Sequence, residues 1–401
     1  MKFLRQILLA SSLTCLLPVY PLFAAPTPGS WSGGVGLAGS LIAPDPTDVP
    51  VRFFEDGLCG GIVVTISAPS LKSPTGLYTG QVVLLSGSQV QTFRYSGNLS
   101  ANGTISGQWP SSVKGAPSLS VTLAPSVMAP EAPYFVGEAV LLTQRYPIFI
   151  LPQQFSAKTP LPLGIAGSFS QFIDDPYTAA GTGTGSAKIT SAGGVTLAGS
   201  TTDGVKITRS TVVLSVGGKY FFVAPGALGK TGFWGGWASK RTSASDCDWD
   251  GFALQYPSNV SAARLFLAAY QPPSKGMSAL PWTQGMLDLE LGSDFFAANG
   301  ALTFNGKSKF LANAFLTGEN GSILNGANAW GVKLISLTLA PATGSVVGKI
   351  EYFYLSSYVS DAVRVTGVLS GLLNQKNGKI LGRVQSDRNS ALTGPFSVTP
   401  Q

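Results

Sequence analysis

Gly97-Asn98-Leu99-Ser100-Ala101-Asn102-Gly103-Thr104-Ile105-Ser106-Gly107 reads as the end of one strand, a turn and the start of the next. Asn-Gly between alternating apolar and polar residues is a hairpin signal, because glycine enters the positive-φ conformation of a tight turn without steric cost. The same signal recurs at Asp203-Gly204, Asn305-Gly306, Asn320-Gly321 and Asn377-Gly378. It predicts two-residue type I′ turns between strands that are consecutive and antiparallel. Period-two alternation at Val82 to Leu85, Thr92 to Leu99, Leu119 to Leu123, Ala187 to Thr190, Val205 to Val216, Leu334 to Leu339 and Val363 to Leu369 supplies the strands. Ser261 to Tyr270 has helix formers in a row, yet Arg264, Phe266 and Ala268 alternate with Leu265, Leu267 and Ala269, so helix and strand both remain open there. The fold expected is all-β: predominantly antiparallel meanders forming two or three barrel-like or sandwich units in tandem, with closure or stacking hiding the strand edges.

Three stretches echo one another. Gly76-Leu77-Tyr78-Thr79-Gly80, followed by Ser96 to Leu99 and Ile105 to Gly107, is matched by Gly167 to Ser170, Gly183 to Thr190 and Gly194 to Gly199, and again by Thr343 to Gly348 leading to Val365 to Leu369. Each copy leaves one glycine, crosses polar residues and returns through a second, as a repeated meander unit would. Proline marks boundaries from Pro147 to Pro162 and at Gln271-Pro272-Pro273-Ser274-Lys275-Gly276. The division expected is a signal peptide over 1–25, a linker over 26–50, and β domains over 51–155, 156–270 and 271–401, the last two being either separate or one unit.

The start has the anatomy of a secretory signal: Lys2 and Arg5, an apolar run from Ile7 to Leu17, and small residues at Ala24 and Ala25 where cleavage is expected. Ser11, Ser12, Thr14 and Pro18 interrupt the run, which falls short of the roughly 20 apolar residues of a membrane span. Charged residues are 11% of the 401 residues, against an ordinary value of about 25%. Solubility therefore rests on hydroxyl and amide side chains, as suits exposed strand faces. The net charge of +7 is spread without a run or stripe, which argues against a nucleic-acid partner.

Val195-Thr196-Leu197-Ala198-Gly199-Ser200-Thr201-Thr202-Asp203-Gly204, the segment Gly229 to Trp237, Thr338 to Gly344 and Gly367-Val368-Leu369 resemble the glycine-punctuated β-repeat regions of large secreted or cell-surface proteins of environmental bacteria. The resemblance runs over roughly Gly164 to Val384, with a fainter copy from Gly76 to Gly107. It implies an exported location and a repeat architecture, and it implies no reaction.

Asp246-Cys247-Asp248-Trp249-Asp250-Gly251 is the first half of a D-x-D-x-D-G calcium loop, in which alternate carboxylates converge on a hard cation. The twelfth position, which should be a bidentate Glu, is Pro257, so an EF-hand is excluded. Two readings stand: Asp246, Asp248 and Asp250 bind calcium with help from another loop, or they form a polar turn directed at water, Lys240 or Arg241. The polar turn is favoured. Trp234, Trp237 and Trp249 likewise have two readings, a platform for sugar rings or core filling, of which core filling is favoured. Cys59 and Cys247 either form one disulfide, joining the first part to the middle, or stay as buried thiols.

Catalysis finds little support. The chain has no His, which removes Ser-His-Asp and Cys-His machinery and His-ligated zinc. A glycosidase needs two carboxylates, and the spacing of Asp174, Asp175, Asp288, Glu290, Glu319 and Glu351 selects no pair. Gly181-Thr182-Gly183-Thr184-Gly185 lacks the following Lys of a phosphate loop. An outer-membrane barrel is disfavoured, since Phe396 to Gln401 ends without a terminal aromatic and no lipid-facing band is visible. The function expected is therefore that of an exported, non-catalytic structural or interaction protein of the cell surface or matrix, with a periplasmic location as the alternative. Its partners would be surface or matrix components. The second reading is a carbohydrate-binding module, with glycans as partner.

Overall fold

A computed structural model describes residues 26–37, 58–126, 133–175, 181–228, 232–256, 263–291, 296–312, 317–320, 332–355, 362–387 and 393–401. The expected signal over 1–25 and the turn at Gly321 lie outside them. Every regular element among these residues is a strand. The first sheet holds β1 (Gly29–Gly36), β2 (Leu58–Ile66), β3 (Leu77–Ser86), β4 (Gln89–Asn98), β5 (Ile105–Trp109), β6 (Leu119–Ser126), β7 (Tyr134–Leu141) and β8 (Gln144–Pro152). The second holds β9 (Gly167–Asp174), β10 (Gly183–Ile189), β11 (Gly194–Ser200), β12 (Lys206–Val216), β13 (Lys219–Leu228), β14 (Gly232–Lys240), β15 (Trp249–Tyr256) and β16 (Ala263–Ala269). The third holds β17 (Gln284–Leu291), β18 (Phe296–Phe304), β19 (Phe310–Ala312), β20 (Thr317–Asn320), β21 (Lys333–Ala340), β22 (Ser345–Leu355), β23 (Ala362–Asn374), β24 (Lys379–Ser386) and β25 (Thr393–Pro400).

All three are up-and-down antiparallel meanders in which the first strand pairs with the last: β1 with β8, β9 with β16, and β17 with β25. The middle unit is a closed barrel. In the first unit β4 and β5 stand at the two ends of the sheet and meet through a single bridge, Phe93 to Ser111. Pro110 explains why the ladder stops there. Its carbonyl accepts from Arg94 N–H at 3.3 Å, but proline has no N–H to return the bond. Side chains take over along the gap: Tyr78 donates to the Ser106 carbonyl at 2.7 Å, and Tyr95 stacks on Trp109 at 6.3 Å. In the third unit β19 and β21 meet through the Lys309 to Thr338 bridge.

The architecture is thus three barrel-like units in tandem, all-β and antiparallel. Ser261 to Tyr270 resolves as strand β16 where it is described. The expected linker over 26–50 contains β1, an interior strand of the first sheet, so that unit begins at Gly29 and not at residue 51. Segments 153–166 and 270–283 connect the barrels. The sequence echoes fall one per barrel.

The turns differ from expectation in one respect. Gly103, Gly204, Gly306 and Gly378 have positive φ, but the Asn or Asp before each does not, so these are not type I′ turns. Ser100, Thr190 and Thr201 each open the same longer loop instead. The carbonyl of each accepts from the glycine three residues on, at 2.9 Å in all three loops, and its N–H is returned to the carbonyl four residues on. Each hydroxyl also accepts the N–H of that fourth residue, at 2.8, 3.0 and 3.1 Å respectively. A Ser or Thr hydroxyl thus ties down a loop that the glycine bends.

Each barrel is filled by its own side chains. Phe222, Trp234 and Trp249 occupy the middle one with Leu197, Leu265 and Leu267. Glycine makes the space: a Cβ at Gly236 would lie 2.5 Å from the Trp234 ring, and one at Gly80 would lie 2.1 Å from that of Trp109. Apolar inside and hydroxyl-rich outside is the reverse of a porin-type membrane barrel. No helix among the described residues is long and apolar enough to cross a membrane.

Candidate functional site: the clefts between the barrels

The three tryptophans singled out by the sequence do not form a platform. Trp234, Trp237 and Trp249 are 0%, 2% and 0% exposed. Trp234 and Trp249 point into the middle barrel. Trp237 lies on the opposite face of β14 and packs with Leu58, Phe149 and Leu151 of the first barrel and Val223 of its own. Pro225 of the middle barrel sits against Gly61, where any Cβ would fall 2.0 Å from the proline ring.

The aspartate loop is a clasp between the middle and third barrels. Arg264 donates to Asp246 and Asp250, each at 2.9 Å, while Asp248 turns the other way to meet Lys240 at 3.3 Å and Lys376 at 3.2 Å. Lys376 comes from the turn after β23 and also donates to the Cys247 carbonyl at 2.8 Å. Asn374 donates to the Asp246 carbonyl at 2.7 Å. Asp246 and Asp250 thus share one guanidinium while Asp248 faces two ammonium groups, as the polar-turn reading expects. Among the described residues no group of three or more His, Cys, Asp or Glu is placed to hold a metal ion. Burial raises the Asp246 carboxyl, but the Arg264 hydrogen bond and charge outweigh it and hold the group below its ordinary range. For Asp248 burial is likewise outweighed, by the Ala269 N–H, Lys240 and Lys376.

Cys59 and Cys247 are free and buried, so the disulfide is not formed. Cys59 belongs to the first barrel's core and donates to the Gly36 carbonyl at 2.9 Å. Cys247 is enclosed with Phe172, Phe266 and Leu372 between the middle and third barrels. Burial pushes the Cys59 thiol up to about 12. Burial and then the charges of Asp250 and Asp246 push that of Cys247 up to about 12. Both are unreactive thiols at neutral pH.

None of the carboxylates considered for glycoside chemistry lines either of the clefts described below. Asp174 is on β9 and accepts from Thr182 at 3.3 Å. Asp288 and Glu290 are on β17, and Glu351 on β22 is ion-paired with Arg364.

Among the described residues, two of the clefts lie between the outer faces of neighbouring barrels. The first, about 880 Å³, lies between strands β1 to β4 and strands β12 and β13. The second, about 990 Å³, lies between β9 to β11 and the β21–β22 turn, β22 and β23 of the third barrel. Neither is lined by any Asp or Glu, and each has one cation, Arg94 in the first and Lys188 in the second. No motif in the sequence points to Arg94. The only signal is alternation, which puts it outward between Phe93 and Tyr95.

No protein family and no curated protein matches the sequence. Among solved structures, the isotype 1 transferrin binding protein B from serogroup B Neisseria meningitidis overlaps 91% of this chain and 68% of its own, at 11% identity and a TM-score of 0.23. So slight an overlap carries nothing about the site.

Proposed function

We propose that this chain is an exported, non-catalytic interaction protein of the cell surface or extracellular matrix, a row of three barrels that holds partners in the clefts between them. One observation carries the reading: the barrel interiors are filled, Asp246 and Asp250 are held by Arg264 within the middle barrel and Asp248 by Lys376 of the third, and the clefts described between the barrels are lined by no carboxylate. Sites for small molecules are concave, with a few convergent polar groups on an otherwise apolar wall, and both clefts have that character.

Purified mature protein incubated with intact bacterial cells and with extracted matrix tests this. Saturable retention is expected, with the glycans recovered at unchanged length by mass spectrometry. Shortened glycans, or retention no greater than that of an unrelated protein of equal charge, would overturn it. Glycan binding is the second reading. It no longer rests on Trp234, Trp237 and Trp249 and is supported only by the cleft linings.

A further inference from the structure

We propose that the cleft between the first and middle barrels binds a sugar chain bearing acid groups, carboxylate or sulfate, through Arg94. This rests on the interaction-protein reading above and names the partner of one cleft.

The strand register builds the site. Thr65, Thr79 and Ser96 are directly opposite one another on β2, β3 and β4, and so are Val63, Gln81 and Arg94. All six line the cleft. Neighbouring strands are about 4.8 Å apart, so the first row is a line of three exposed hydroxyls across the sheet. The second row grades from an apolar end, where Val63 is 50% exposed, through an amide to a guanidinium. Gln81 accepts from Arg94 Nε at 3.1 Å, which fixes the side chain and leaves its two terminal nitrogens for a ligand. A guanidinium fork is the natural partner of a planar carboxylate or of a sulfate. With no acid in the lining, the field in the cleft has one sign.

A sugar chain presents what these rows accept: hydroxyls that donate and accept, apolar C–H faces, and an acid group on the ring. An acidic peptide fits less well. The β2–β3–β4 ladder is complete across these positions, so a peptide backbone could add only at the outer edge of β4 beside the seam, away from the hydroxyls of Thr65 and Thr79.

Calorimetric titration of the full chain with hexagalacturonate, a heparin hexasaccharide, maltohexaose and hexa-aspartate tests the proposal. At least one acidic sugar is expected to bind ten-fold or more tighter than maltohexaose and hexa-aspartate, and which of the two does so separates carboxylate from sulfate. Arg94→Gln should weaken that binding about 10- to 100-fold, the worth of a charge-assisted hydrogen bond. Lys188→Gln, in the other cleft, should change it less than two-fold. Arg94 is exposed, and unchanged thermal melting verifies the fold of the variant. Acidic sugars binding no tighter than maltohexaose, indifference to Arg94→Gln, dependence on Lys188 instead, or tighter binding of hexa-aspartate would each overturn it. If it fails while cells still retain the protein, the broader reading stands; glycan cleavage would end both.

Discussion

The middle barrel and the first barrel have the same strand number and winding, yet one is hydrogen-bonded all the way round and the other is not. The middle ladder runs without a break from β9 to β16 and back to β9. In the first barrel a proline that cannot donate stops the ladder after one bridge, and Tyr78, Tyr95 and Trp109 fill the gap. Closure by backbone gives a uniform wall. Closure by side chains leaves a seam, and Arg94, Tyr95, Ser96 and Pro110 beside it line the first cleft. A residue without an N–H thus marks where the first barrel's ladder gives way to side-chain closure.

The largest effect should come from emptying the closed barrel. Trp234→Ala is expected to cost about 3–5 kcal/mol in urea unfolding, and Trp109→Ala less, because the seam beside it can close inward. Equal costs would mean that the seam is as rigid as the ladder. Filling the glycine sockets comes next: Gly236→Ala drives a methyl into the Trp234 ring and should cost about 1–3 kcal/mol, again with the seamed counterpart, Gly80→Ala, costing less.

The clasp behind the middle barrel should respond to acid. Asp246 and Asp248 titrate below the ordinary value of 3.8. Their stabilisation is therefore complete above about pH 5 and is lost as pH falls through the depressed values. Melting temperature should drop below pH 4 more steeply in the native chain than in Asp248→Asn, and parallel curves would remove the clasp from the account. Arg264 is 37% exposed, so with solvent screening Arg264→Met should cost no more than about 1–2 kcal/mol. Tyr78→Phe deletes the hydrogen bond that bridges the seam and should cost about 0.5–1.5 kcal/mol. Hydrogen exchange should quicken on β5 and stay unchanged on β9 and β16. Smallest of all, millimolar calcium or a chelator should leave melting unchanged, since lysine and arginine hold the aspartates.

Alternation and glycine turns made most strands readable, and the three echoes anticipated one unit each. β1 was missed for a physical reason: Gly33 sits so close to β8 that a Cβ there would fall 1.8 Å from the Phe149 carbonyl oxygen, and Gly34 beside it has no side chain either. A strand built of such glycines shows no alternation. The tryptophan platform was refutable from sequence, because residues three apart on a strand face opposite ways. The clasp was not, since Lys376 and Asn374 lie 128 positions from Asp248 and Asp246. Arg94 was legible as an outward residue, but the cleft around it depends on Pro225 and Thr211 of another barrel.

Pairing of first strand with last also sets the timing of folding. A chain that emerges N-terminus first cannot finish a barrel until the closing strand appears, so β1, β9 and β17 each wait with one edge unsatisfied while seven or eight further strands arrive. Contacts between such distant segments form slowly, and an exposed edge in that interval invites pairing with a neighbouring chain. The molecule thus passes through three successive intervals of aggregation risk, each ended by one strand.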